Sequence, residues 1–122
     1  MLDKILILLL IISSFSVIAG EADVLEAKLL PAGENQWRVS ATIQHADQGW
    51  EHYADGFQVL TVDGVLLADR ELLHPHVNEQ PFTRSTQTFS IPAGVTELIV
   101  RAHDSVHGLG GEEVRLSVSI KQ

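Results

Sequence analysis

Histidine is the residue type with the widest range of chemistry in this sequence. The 122 residues include six histidines and no cysteine. The histidines fall in three pairs, each where an extended segment gives way to a loop: His45 and His52, His74 and His76, and His103 and His107. Neutral imidazole is a common metal ligand, and its charge changes near neutral pH. The pattern therefore predicts a loop site that binds a metal ion or forms a network of polar contacts.

The His74-Pro75-His76 segment is the first candidate. Side chains at alternate positions of an extended chain point the same way, and Pro75 biases His74 toward extended geometry. The two imidazoles could therefore share a metal ion or line one side of a groove. The alternative is a rigid turn in which both imidazoles hydrogen-bond to backbone carbonyl groups.

The segment around Asp104 carries another pair of histidines. Asp104 can cap the turn that follows it through hydrogen bonds to its own backbone, which is the structural interpretation. In the functional interpretation, His103, Asp104 and His107 belong to one site. The glycines at positions 108, 110 and 111 would let this loop fold back closely on the domain.

A third cluster runs from His45 to Asp55 and combines imidazole, aromatic and carboxylate groups. Trp50 within it is interpreted in two ways. It either fills the centre of the core, as a tryptophan does in many β-sandwiches, or lies at the rim with its neighbours Glu51 and Tyr53. The first interpretation makes it structural, and the second makes it part of a binding surface.

Alternating apolar residues, interrupted by turn residues, predict an all-β fold after residue 20. Seven strands are predicted, at residues 24–30, 37–45, 57–62, 65–71, 86–91, 96–103 and 112–120. The dipeptide Asp63-Gly64 predicts a two-residue hairpin turn between the third and fourth strands. The number and spacing of the strands are typical of an antiparallel sandwich of the immunoglobulin or fibronectin III type.

Residues 1–19 have the features of a signal peptide. Lys4 lies in a short charged segment, residues 5–12 are apolar, and Val17 and Ala19 supply small residues before the cleavage point. Cleavage after Ala19 leaves residues 20–122 as a single β-sandwich domain, large enough to form a core without disulfides. The sequence therefore predicts a periplasmic or secreted protein, and no cysteine follows the apolar run to accept a lipid anchor.

The formal net charge of the chain is −8 at pH 7. An acidic surface repels the phosphate groups of nucleic acids and of anionic lipids. We therefore expect no nucleic-acid partner, and no membrane partner after the signal peptide is removed. A metal ion and a protein remain as candidate partners.

Two resemblances add to this interpretation. The sequence IPAGVTELIVRAHD at residues 91–104 resembles the corner and sixth strand of fibronectin type III and bacterial immunoglobulin-like domains, with Thr96 where those domains often carry tyrosine. The segments GWEHYAD, RELLHPH, EQPFTR and RAHDSVHG together resemble a family of small exported bacterial proteins without a settled biochemical function. The first resemblance implies the sandwich fold, and the second implies that these segments form one recurrent surface.

Topology decides whether the histidine pairs meet. In a sandwich of this type, the loops that follow the second and sixth strands lie at the same end, and the predicted loop at residues 73–84 is long enough to reach it. The predicted metal ligands are five histidines: His52, His74, His76, His103 and His107. Nitrogen and oxygen donors without sulfur favour copper(II) or zinc(II).

The leading functional hypothesis is an exported, non-enzymatic binding module whose histidine-rich loop site holds a divalent transition metal. The alternative is a protein-interaction or accessory domain in which histidine, arginine and acidic side chains form a structural polar network. An enzyme is not expected, because the sequence lacks a Gly-x-Ser-x-Gly motif and a small sandwich has little room for a substrate cleft. Geometry separates the hypotheses, since a metal ion needs three or four donors about 2.0–2.2 Å from one point.

Overall fold

The computed structural model describes residues 20–119. The predicted signal peptide at residues 1–19 and the end of the last predicted strand at residue 120 lie outside the described residues. Within residues 20–119 there is no helix long and apolar enough to cross a membrane. The described strands are β1 (Asp23–Pro31), β2 (Trp37–Gln44), β3 (Ala54–Thr61), β4 (Leu66–Glu71), β5 (Phe82–Ser85), β6 (Glu97–Asp104), β7 (Gly108–Leu109) and β8 (Val114–Ser117).

These strands form two antiparallel sheets. The first has the order β1-β2-β5, and in the second β4, β3 and β6 are neighbours, with β6 also pairing with β7 and β8. Buried side chains from both sheets form one hydrophobic cluster. The all-β prediction is confirmed, and the two sheets around one core are consistent with a β-sandwich.

Strand alternation explains how the core forms. In β2, Val39, Ala41 and Ile43 are fully buried, and the residues between them are partly exposed. In β6, Leu98 and Val100 are fully buried in the same alternating pattern. Alternate side chains of a strand share a face, and burial of each large apolar side chain stabilises the fold by roughly 1.5–3 kcal/mol. These two strands therefore supply the centre of the core and orient the residues that follow them.

The β3–β4 hairpin forms at the predicted turn. Gly64 has a positive φ of 91°, which glycine adopts without the steric penalty that other residues meet. Its N–H donates to the Thr61 carbonyl oxygen at 2.9 Å, and the Thr61 N–H donates to the Val65 carbonyl oxygen at 2.9 Å. The hairpin is therefore closed by hydrogen bonds across residues 61–65, and its turn is longer than the two residues predicted.

The fifth strand begins earlier than the sequence pattern predicts. The pattern predicts a loop at residues 73–84 and a strand at residues 86–91, whereas β5 comprises Phe82–Ser85. The predicted strand at residues 86–91 is wrong, because this described segment forms no strand and joins β2 only through hydrogen bonds at Thr86 and an isolated β-bridge at Phe89. At the end of the chain, the strand predicted from residue 112 begins at Val114, and the short strand β7 was not predicted.

Pairing with β2 explains the position of β5. Phe82 is buried and is the register partner of Ile43, so the strand starts where an aromatic ring can enter the core. The ladder ends at Thr86, because the Val39 N–H donates to the Thr86 hydroxyl at 3.1 Å. A side chain thus takes the place of a backbone group in the ladder, an effect that local hydrophobic periodicity does not reveal.

The segment at the start of β1 packs against the loop between β7 and β8. The Glu112 N–H donates to Asp23 Oδ1 at 2.8 Å, and the Val24 N–H donates to the Glu112 carbonyl oxygen at 2.9 Å. Ala22 is fully buried, and a Cβ atom on Gly111 would lie 2.1 Å from the Ala22 carbonyl oxygen. The close approach of the two segments therefore depends on glycine at position 111.

Gly111→Ala should destabilise the domain by about 3–4 kcal/mol, because the new methyl group collides with main-chain atoms at a residue of positive φ. Gly94→Ala is the matched control. Gly94 also has a positive φ, but no atom lies within 4 Å of the position of its added Cβ, so a loss of only about 1–2 kcal/mol is expected. Urea denaturation measures both values, and equal losses would contradict the close approach at Gly111.

Candidate metal centre

The ends of β2 and β6 direct two polar residues into the interior. His45 follows β2, and Asp104 is the last residue of β6. Each continues the inward alternation of its strand, so that His45 is 3% exposed and Asp104 is fully buried. Burial of polar groups is costly unless they are hydrogen-bonded or paired, and both residues have close polar partners.

Three imidazole nitrogens surround one carboxylate oxygen of Asp104. Its Oδ2 lies 3.1 Å from His45 Nε2, 3.0 Å from His52 Nε2 and 3.0 Å from His107 Nδ1. The Nε2 atoms of His45 and His52 are 3.3 Å apart. His45, His52 and Asp104 can each offer one ligand atom to a single cation. His107 is outside this mutually close group, but its Nδ1 contacts the same Asp104 oxygen. These four residues are referred to below as the Asp104 cluster.

The second carboxylate oxygen of Asp104 orders the loop that carries His107. Its Oδ1 accepts hydrogen bonds from the backbone N–H groups of Val106, at 2.9 Å, and of His107. Burial alone would raise the pKa of Asp104, but these hydrogen bonds and those from the His107 and His52 side chains hold that pKa well below its usual range. Asp104 is therefore an ionised carboxylate at neutral pH.

Asp47 fixes the orientation of His45 from the opposite side. Asp47 Oδ1 lies 2.6 Å from His45 Nδ1 and accepts a hydrogen bond from the Ala54 N–H at 3.0 Å. Asp47 Oδ2 accepts a hydrogen bond from the His76 N–H at 2.7 Å. Since this carboxylate is already an acceptor for two backbone groups, the proton between Asp47 and His45 belongs to Nδ1. A carboxylate in this position fixes the tautomer of a metal-ligating histidine.

This tautomer leaves His45 Nε2 facing two electron-rich oxygens. With its proton on Nδ1, neutral His45 has a lone pair at Nε2. Asp104 Oδ2 lies near it, and the Gly20 carbonyl oxygen is 2.8 Å from it. Lone pairs at these distances repel unless a proton or a metal cation lies between them. A proton donated by His52 Nε2, 3.3 Å away, or a metal cation among the donors would relieve this repulsion.

The donor spacing is close to that of a tetrahedral metal site. Ligand distances near 2.0–2.1 Å and tetrahedral angles place neighbouring zinc ligands about 3.3–3.4 Å apart. The separations among His45 Nε2, His52 Nε2 and Asp104 Oδ2 are 3.0, 3.1 and 3.3 Å. An outward movement of a few tenths of an ångström would bring these atoms to the spacing of a bound ion.

Access to the Asp104 cluster is from one side. The side chains of His45 and Asp104 are 0% exposed, that of His52 is 10% exposed, and that of His107 is 40% exposed. A surface groove also borders His45 between Gly20 and Gln80. A small ion could therefore reach the buried donors past His107, whereas a larger organic ligand would contact only the outer imidazoles.

The His74-Pro75-His76 segment forms a separate group. His76 is buried, its ring stacks on Phe82 with centroids 4.0 Å apart, and its Nε2 accepts a hydrogen bond from Arg84 at 3.1 Å. Burial, followed by the Arg84 and His74 charges, lowers the pKa of His76. His74 is exposed, and its Nδ1 lies 3.4 Å from the Pro75 carbonyl oxygen. The Arg84 contact is that expected of a structural polar network, whereas the buried Nδ1 of His76 has no hydrogen-bond partner among the described residues.

His103 lies apart from the Asp104 cluster, on the other face of β6. Successive residues of a strand point to opposite faces, so the burial of Asp104 places His103 outward. Its Nδ1 is 2.5 Å from Asp55 Oδ1, and its side chain is 43% exposed. Asp69 and Glu71 line the same shallow groove on the outer face of the sheet.

The structure thus brings together two of the five histidines predicted as metal ligands, His52 and His107. It places His74, His76 and His103 in the other contacts described above. The residues that sequence reasoning left out of the ligand set are His45 and Asp104. The alternation of buried residues along the second and sixth predicted strands indicated both residues. Each lies two positions after a buried residue of its strand and therefore points into the core.

The loops after β2 and β6 lie together, as the topology argument predicted. The Tyr53 N–H donates to Ser105 Oγ at 3.1 Å, and the Ser105 N–H donates to the Tyr53 carbonyl oxygen at 2.9 Å. The core interpretation of Trp50 is wrong: Trp50 is 66% exposed and makes an edge contact with Tyr53. The fully buried Phe57 supplies the aromatic ring at the centre of the core instead.

Comparisons with known proteins identify a similar sequence in Halomicrobium mukohataei, in a protein named "Putative lipoprotein". The two sequences are 46% identical over 92 residues, which cover 75% of this chain and 45% of the relative. The chain therefore spans less than half the length of that relative. No family model matches the chain, and no solved structure matches it.

Proposed function

We propose that this protein is an exported, non-enzymatic binding module that holds a divalent transition metal in the Asp104 cluster. The observation that carries the proposal is the convergence of three imidazole nitrogens on one oxygen of a buried, ionised carboxylate. The tautomer that Asp47 imposes on His45 supports it, since the Nε2 lone pair is then available to bind a cation. Metal binding would remove the lone-pair repulsion at Nε2 without protonating His45.

The donor set favours zinc(II) or copper(II). Imidazole suits both ions, and His45, His52 and Asp104 supply three mutually close ligands, with His107 as the proposed fourth ligand of a tetrahedral zinc site. In this proposal His45 and His52 bind through Nε2, His107 through Nδ1, and Asp104 through Oδ2. Asp47 is a supporting residue that orients His45 and does not contact the ion, and Oδ1 of Asp104 continues to order the 105–107 turn.

The second candidate function is a protein-interaction or accessory domain whose polar residues are structural. The contacts of His76 with Arg84 and of His103 with Asp55 favour it. In this alternative His45 is an imidazolium that donates to Asp47 and to Asp104 at once. The two candidates differ in one measurable property, because only the first predicts that a metal ion binds stoichiometrically and stabilises the fold.

Export and the finer fold type are part of the same proposal. The predicted signal peptide supports export, and the name of the Halomicrobium mukohataei relative is that of a lipoprotein. The strand order β1-β2-β5 facing β4-β3-β6-β8 supports a fibronectin III-type member of the immunoglobulin-like sandwiches. In such a sandwich the loops that carry the Asp104 cluster belong to one end of the domain.

Calorimetric titration of residues 20–122 with zinc(II) and copper(II) tests the proposed function. We expect one ion to bind per chain at about micromolar affinity or tighter, with the melting temperature raised because the ion binds only the folded state. Binding should be lost near about pH 5, since the imidazoles must be unprotonated to bind a metal. No heat and no change in melting temperature with either ion would leave the structural network as the better explanation.

A further inference from the structure

The main chain at Gly20 lies among the donors of the proposed centre. Its carbonyl oxygen is 2.8 Å from His45 Nε2, closer than either Asp104 Oδ2 or His52 Nε2. A neutral His45 cannot donate a proton to this carbonyl, because its proton is engaged by Asp47. The Gly20 oxygen is therefore positioned as a further ligand for a cation bound at His45.

The segment that follows Gly20 packs against the domain and places Gly20 near His45. Ala22 is fully buried, and the Glu112 N–H donates to the Asp23 side chain. Gly111 lies so close to the Ala22 main chain that this position has no space for a Cβ atom. The packing of residues 22–23 thus brings the exposed Gly20 beside His45.

We propose that Gly20 becomes a chelating ligand of the centre when the signal peptide is removed, so that cleavage after Ala19 completes the metal site. Hydrolysis of the Ala19–Gly20 peptide bond consumes one water and leaves a carboxylate on Ala19 and an α-ammonium group on Gly20, which becomes the free amine by releasing one proton to solvent. The amine nitrogen and the carbonyl oxygen of Gly20 can then bind one metal ion in a five-membered chelate ring. This inference rests on the proposed function of the Asp104 cluster.

The chemical reason for the change lies in the nitrogen of Gly20. In the uncleaved chain this nitrogen belongs to a peptide bond, and its lone pair is delocalised into the carbonyl group. After cleavage it is a primary amine whose lone pair is free to bind a metal. The precursor would therefore bind metal through the Asp104 cluster and the carbonyl oxygen alone, and tight loading would follow export.

A carrier protein fused directly before Gly20, and removable by a protease that leaves Gly20 as the first residue, allows the test. Three samples are titrated with copper(II): the uncut fusion, the released chain beginning at Gly20, and a released chain with one additional alanine before Gly20. We expect the chain that begins at Gly20 to bind at least about tenfold more tightly than the other two, since loss of even an outer-shell partner costs roughly 10- to 100-fold. The alanine-extended sample controls for removal of the carrier.

A spectroscopic readout identifies the amine directly. Pulsed electron paramagnetic resonance on the copper(II)-loaded protein, grown with ¹⁵N-glycine, should show coupling to a glycine nitrogen only in the chain that begins at Gly20. Equal affinities in the three samples, without this coupling, would overturn the role of Gly20 and leave the Asp104 cluster intact as a site. No binding in any sample would refute the proposed function itself, and the inference with it.

Discussion

Replacing His52 and His107 together with alanine should lower metal affinity by about a thousandfold or more, because it removes two of the four proposed ligands. Both side chains lie toward the accessible side of the Asp104 cluster. The substitution leaves the contact between Asp47 and His45 in place, so the domain should still fold. Isothermal titration with zinc(II) and copper(II) measures the loss, and thermal unfolding in the presence of a chelator checks the fold.

The matched control is the double substitution of His74 and His103 by alanine. It also removes two histidines that the sequence predicted as ligands, but the structure places both away from Asp104. We expect this variant to bind metal within a few-fold of the unsubstituted protein. The control variant could instead lose binding while the His52 and His107 variant retains it. The metal site would then lie in the loop that carries His74 or on the outer face that carries His103.

Asp104→Ala should produce the largest loss of stability in the metal-free protein, about 3–5 kcal/mol. The substitution removes the acceptor for the Val106 and His107 N–H groups and leaves three imidazoles without their common partner. Urea denaturation in the presence of a chelator measures the loss. Asp69→Ala is the control, because Asp69 is an exposed residue on β4 and its replacement should change stability by only about 0.5 kcal/mol.

The contribution of Asp104 should also depend on pH in a defined direction. Its pKa is lower in the folded state than in the unfolded chain, so its ionised form stabilises the fold above the unfolded value of about 3.9. That contribution is lost as the pH falls through the lower, folded-state value. The stability difference between the parent protein and Asp104→Ala should therefore be full at neutral pH and decrease below about pH 4. A difference that stayed constant across this range would contradict the ionised-carboxylate assignment.

The sequence was informative wherever local pattern decides the structure. Alternation along β2 and β6 predicted the buried faces, and the Asp63-Gly64 dipeptide predicted the hairpin. The same alternation would have identified His45 and Asp104 as inward-facing, since each lies two residues after a buried residue of its strand. Histidine spacing alone favoured His74 and His103 instead, because spacing does not say which face of the domain a residue occupies.

Features that depend on distant segments could not be predicted. Asp47 orients His45 while accepting from the backbone of His76, and nothing in the local sequence indicates that these segments meet. The start of β5 depends on the burial of Phe82 in the core. The position of Gly20 depends on how the segment after it packs against the loop at residues 110–112. Each is decided by tertiary packing, which overrides the local pattern.

Anomalous diffraction from crystals of residues 20–122 grown with zinc(II) would locate a bound ion. We expect one strong peak at the zinc absorption edge, with His45 Nε2, His52 Nε2 and Asp104 Oδ2 each about 2.0–2.2 Å from it. A peak between His74 and His76, or beside His103, with none at Asp104 would refute metal binding in the Asp104 cluster. So would a structure in which His45 donates to both Asp47 and Asp104 and no ion is bound at a saturating zinc concentration.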